Sequence, residues 1–327
     1  MHSRPVTLAL ASVAFAFGCK DSPKEAGPKG ATGTTGTTDK AGGSTAPTTA
    51  APSSDLALLP GDAQVVLGVD WQQLQAHSLW KQLALPALMK EGDVVMFVTE
   101  IKNRCGIDLA TDPKHITIGV KGIEADRPDG GAVVTGLDMA KTLACAGKFK
   151  TEAEKEGTVL KTEGDIVLAL DRDGYGAGVT FVGDRALFLI GESMSAGRFK
   201  EAIAGANSLA SSKGFMDMHG KLDTKQTGWG FFRGPTMERE ISEILGSKPK
   251  AVYGSVGTAN GVSAHVRARL DSAETATKTV AAIREQVERA ATQLDKADIA
   301  ADGQDVRLDI AAAGAKLDAL IALMREE

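Results

Sequence analysis

Aromatic residues are scarce, at 5% of 327 residues. Too few rings remain for the stacking platforms that bind single-stranded nucleic acid. Basic charge is not in excess either. Lys and Arg number 37 against 42 Asp and Glu, a formal net charge of −5. A nucleic-acid binder wants a concentrated basic face instead. Beyond the first twenty residues no run reaches about 18 uninterrupted apolar residues, the length a membrane-crossing helix needs. Histidine (five) and cysteine (three) are few, and neither falls into a zinc-ligand spacing.

Familiar catalytic and binding loops are also missing. Ser193, in Gly191-Glu192-Ser193-Met194-Ser195, lacks the closing glycine of a nucleophile elbow. Between Gly214 and Gly220 the spacing is one residue too long for a phosphate loop, and Leu222 follows Lys221 where that loop has Ser or Thr. The stretch Asp171-Arg172-Asp173-Gly174-Tyr175-Gly176 starts like a calcium loop, but its twelfth position is Val182. The bidentate carboxylate is absent there, and the flanking strand patterns make this a hairpin turn. The sequence nominates no catalytic residue, no metal ligand and no cofactor, and the expectation is a protein that is not an enzyme.

What is present begins at the N-terminus. Residues 6–17, VTLALASVAFAF, carry no charge and follow Arg4. As a helix they span about 18 Å, short of a ~30 Å hydrocarbon core. Those are the dimensions of a signal-peptide apolar region. The run ends in Phe15-Ala16-Phe17-Gly18-Cys19, which resembles the lipobox of bacterial lipoproteins. The resemblance implies cleavage before Cys19, diacylation of its thiol and acylation of the new amine. It implies anchoring in a lipid bilayer through acylated Cys19, hence a cell-envelope location. Lys20 rather than Asp after the cysteine implies the outer membrane. Several acyl chains on one residue hold stably, since each buried CH₂ contributes about 0.8 kcal/mol.

Residues 1–18 thus read as the signal peptide and 19–54 as the lipidated cysteine with a tether. The tether consists mostly of Gly, Ser, Thr, Pro, Ala and Lys, with no aromatic, Leu, Ile or Val. It cannot bury a core, and the expectation is disorder. Its root-mean-square span would be roughly 30 Å. With Cys19 assigned to lipid, Cys105 and Cys145 remain as an even pair. In an exported chain the simplest reading is one disulfide, the alternative being two buried free thiols.

The body alternates strand and helix patterns. Residues 58–69 read as a turn and then a strand, β-branched alternation marks a strand at 115–120, and another begins at about 131–137. Short strands at 157–162, 165–170, 176–182 and 186–191 are separated by Gly-containing turns. Helical spacing appears at 71–83, 90–104, 138–148, 194–204 and around 207–219. A second half repeats the order: a strand at 228–234, a helix from Pro235, a hairpin around Asn260-Gly261, a long helix at 272–294, strands at 297–301 and 305–310, and a last helix. TGLDMAKTLAC (135–145) aligns loosely with ARLDSAETATK (268–278). The expectation is an α+β fold of two related β-α-β-β-α-β-β modules, 55–222 and 223–327. Mostly antiparallel sheets would carry helices on one face, the second module packing on the first. The opening Leu59-Pro60-Gly61-Asp62 and the repeated modules resemble exported bacterial proteins built of α+β repeats.

One strand carries a candidate surface. In 262–270, Val262, Ala264, Val266, Ala268 and Leu270 alternate with Ser263, His265, Arg267 and Arg269. The basic row of His265, Arg267 and Arg269 could bind an anion; the alternative is the solvated face of an antiparallel sheet. The functional expectation is a membrane-anchored, non-catalytic envelope lipoprotein that binds or scaffolds an envelope protein. Alternatives are a carrier of a small apolar ligand, or an exported hydrolase with a dispersed site.

Overall fold

A computed structural model describes residues 54–88, 92–123, 125, 127–155 and 157–326. The lipobox-like segment, Cys19 and nearly all of the expected tether lie outside the described residues. Twelve strands form one sheet: β1 Val65–Asp70, β2 His115–Lys121, β3 Asp129–Thr135, β4 Val159–Glu163, β5 Ile166–Leu170, β6 Gly176–Val182, β7 Arg185–Gly191, β8 Gly228–Phe232, β9 Ala251–Gly257, β10 Val262–Arg269, β11 Lys296–Asp302 and β12 Asp305–Ala312. Their order is β11-β12-β10-β9-β8-β1-β2-β3-β7-β6-β5-β4. Each adjacent pair is antiparallel.

The α+β class is as expected, and the sheet shows the repeat directly. From the central pair β1 and β8, one half runs outward as β1-β2-β3-β7-β6 and the other as β8-β9-β10-β12-β11. In each half a helical insertion separates the first and second strands. Another, Met139–Lys148 or Ala273–Ala291, follows the third strand. β5 and β4 extend the first half at its edge. The halves share one sheet because β1 pairs along its length with β8, Val65 opposite Phe232 and Val69 opposite Gly228. The described residues belong to a single compact unit.

Residues directly opposite each other in antiparallel strands point to the same face. On one face Val66, Val133, Leu168, Leu187, Leu189, Phe231 and Tyr253 form the largest core with Leu56, Leu58 and Leu59 of the N-terminal segment, Phe199 and Phe215. The helices Ala196–Ala204 and Lys213–His219 supply the last two. The opposite face holds two smaller cores. One joins Ala268, Leu270, Val280, Ile283, Ile299 and Val306 beneath the Ala273–Ala291 helix. The other joins Cys105, Ile107, Val134, Leu137, Cys145 and Ala186. Helices therefore cover both faces, a layer beyond the expected single one. The reason is visible in the strands: β3 and β7 bury apolar side chains on both sides, as two-sided covering demands.

Local chemistry explains the element ends. Asp138 accepts from Lys141 N and caps one helix; Ser272 accepts from Thr275 N and caps another. The loose alignment sets Asp138 against Asp271, so the helix caps are displaced by one residue. Gly183 and Gly303, at φ 66° and 60°, turn the β6–β7 and β11–β12 hairpins. The Lys150–Lys155 helix was not expected, because KTEAEK has no apolar face to reveal it.

Candidate functional site

The two remaining cysteines meet. Cys105 ends the Gly92–Cys105 helix, Cys145 lies in Met139–Lys148, and they form a disulfide with Cα atoms 5.2 Å apart. Both are buried. The bond pins the long insertion between β1 and β2 to the helix after β3.

The basic row lies on the face expected from its alternation, but at its two arginines that face is largely closed to water. Arg267 and Arg269 keep only 17% and 16% of their side-chain exposure, while His265 keeps 45%. Every member faces a carboxylate of the chain. His265 Nδ1 lies 2.9 Å from Asp309 Oδ1. Arg267 donates to Asp302 at 2.6 Å. Arg269 donates through Nε to Asp305 and through Nη2 to Asp217 at 3.0 Å.

Asp305 is the hub. It is fully buried. Lys221 Nζ donates to it at 2.6 Å and the Tyr253 hydroxyl at 2.7 Å. Burial alone would push its carboxyl upward, but the bonds from Arg269, Lys221 and Tyr253 outweigh that and hold it below the usual range. Burial, then the Asp305 bond, raises the Tyr253 phenol in turn. For Asp309, burial acts upward and is overcome by His265 and the nearby Arg307 and Lys296. The cluster thus sets Arg267, Arg269 and Lys221 against Asp217, Asp302 and Asp305. An anion arriving here would meet cations that already have carboxylate partners.

Other sequence features find local roles. Lys221, in the false phosphate loop, reaches Asp305. In the calcium-like turn, Asp171 accepts from the backbone N–H groups of Asp173 and Tyr175. Arg127 lies 3.4 Å from Asp171 and 3.1 Å from Asp173, and the segment is the hairpin turn expected. His219 stacks edge-on against Trp229 at 5.0 Å, and burial lowers its pKa. His77 takes the N–H of Leu79 on Nδ1, and His115 lies 3.8 Å from Asp70. Among the described residues no three His, Cys, Asp or Glu side chains are grouped to hold a metal ion. Among the described residues no helix is long and apolar enough to cross a membrane.

Reading the sequence found the basic strand and missed its partner Asp305. The available signal was the turn Asp302-Gly303-Gln304-Asp305, which puts an acid at the start of a strand beside Arg269.

No family model and no curated protein matches the chain. The fold has a solved counterpart. The chain is similar to the structure titled "Structure of crystal form I of TP0453", with a TM-score of 0.51 over 83% of this chain and 97% of that one. Sequence identity is 11%. At that identity the likeness concerns the fold alone.

Proposed function

We propose that the chain is a bacterial envelope lipoprotein, anchored through acylated Cys19, whose folded body binds or scaffolds a partner without catalysis. The observation that carries the reading is the Cys105–Cys145 disulfide. It accounts for two of three cysteines, and the one left over stands at the lipobox-like border. A disulfide also suits an oxidising compartment. The body offers ion pairs closed on themselves, which suits a scaffold better than a reaction centre.

The test is detergent-phase partition of the full chain expressed in a bacterium with lipoprotein processing. The wild-type protein is expected in the detergent phase and the Cys19→Ser variant in the aqueous phase. Equal partition of both would refute the anchor.

A further inference from the structure

The two halves carry one equivalent corner whose first strand residue has opposite charge. β7 and β12 hold the same place in the repeat, and each begins straight after a Gly-x turn. Their first residues are Arg185 and Asp305, which are therefore equivalent. Each reaches the segment that leads into the first strand of its own half. Arg185 pairs with Asp55 at 3.5 Å, ahead of β1, and Asp55 also accepts from Thr117 of β2. Asp305 pairs with Lys221 at 2.6 Å, ahead of β8. Both corners are sheltered: Arg185 is 13% exposed and Asp305 not at all. Both leaders lie on the same face of the sheet and feed the same core, one through Leu56, Leu58 and Leu59, the other through Phe215, Met218 and Leu222.

We propose that this reversed polarity is a sorting device: each leader docks on its own half and is refused by the other half, of the same chain or of a second copy. A repeated topology offers two similar docking corners, and exchange of equivalent elements is the characteristic failure of such chains. Exchange here would set Lys221 against Arg185, and would put Asp55 beside Asp305, whose remaining cations, Arg269 and Arg267, already share its charge. Like charges would then meet in sheltered sites, where screening is weak. Leu and Phe side chains can adapt to either corner, but the charges cannot.

The experiment compares the full wild-type chain with a reversed pair, Asp55→Arg with Arg185→Asp, and a neutral pair, Asp55→Asn with Arg185→Gln. Each is unfolded in urea with the disulfide intact, refolded by dilution and separated by size. Equilibrium stability is measured in parallel. The reversed pair restores attraction within the first half but gives both halves the same polarity. It is expected to lose several-fold in monomer yield, with dimers and larger species gaining, while its stability stays at or above that of the neutral pair. The neutral pair is expected to refold with a yield between the other two. A reversed pair that refolds to monomer as well as wild type would overturn the proposal. So would a yield that simply follows stability across the three proteins, the result of a purely structural ion pair.

Discussion

At the residue scale, the protein depends most on Asp305. Changing it to Asn leaves Lys221 without its carboxylate and Arg269 with Asp217 alone. Removing one member of a buried pair costs about 3–5 kcal/mol. Lys221 is partly exposed and can rehydrate, so the lower end is expected for Asp305→Asn in urea denaturation at neutral pH. The pH dependence has a definite sign. The folded-state pKa of Asp305 is depressed, so its contribution is complete above the unfolded carboxylate value of about 3.9. It fades as the pH falls through the lower folded value. The stability gap between wild type and Asp305→Asn should therefore narrow below about pH 4. A gap constant down to pH 2 would contradict the assignment. Tyr253 supplies a second check. The chain has two tyrosines, and Tyr253 is raised by burial and by Asp305. Absorbance titration should show one phenol ionising only with alkaline unfolding. A close approach gives a third. A Cβ on Gly68 would lie 2.1 Å from the Trp229 ring, so Gly68→Ala should displace the indole and cost about 1–3 kcal/mol.

At the element scale, the disulfide ties the Gly92–Cys105 helix to the Met139–Lys148 helix within a buried core. It closes a loop of 40 residues containing β2 and β3. The chain-entropy argument gives about 4 kcal/mol for that length. Replacing Cys105 and Cys145 by Ala should lower the melting temperature, and reductant should then have no further effect. Strand and turn positions were legible because each depends on local chemistry. Val-rich alternation marks β1 and β2, Gly183 and Gly303 mark hairpins, and Pro235 marks a helix start. The continuous sheet was not legible. β1 and β8 are apolar strands with no local signal naming the other as partner, and their pairing spans about half of the chain. The same holds for the charged cluster. Alternation in β10 revealed that His265, Arg267 and Arg269 share a face. The carboxylates that meet them come from β11, β12 and the Lys213–His219 helix, which only long-range pairing brings together.

At the scale of the whole molecule, one sheet of two halves carries its helices on both faces and shelters one charge cluster around Asp305. The similar structure has the same fold at 11% identity, so the architecture survives wide change in sequence. Apolar patterning can persist under such change, whereas individual ion pairs need both partners at once. The proposed anchor would join this body to a membrane through the Gly-, Ser- and Thr-rich segment that follows Cys19. The most direct test is the intact mass of the mature protein, with tandem mass spectrometry of its N-terminal peptide. The account predicts that the peptide begins at Cys19 and carries fatty acyl groups on thiol and amine. A peptide beginning elsewhere, or Cys19 recovered as an unmodified thiol, would contradict it.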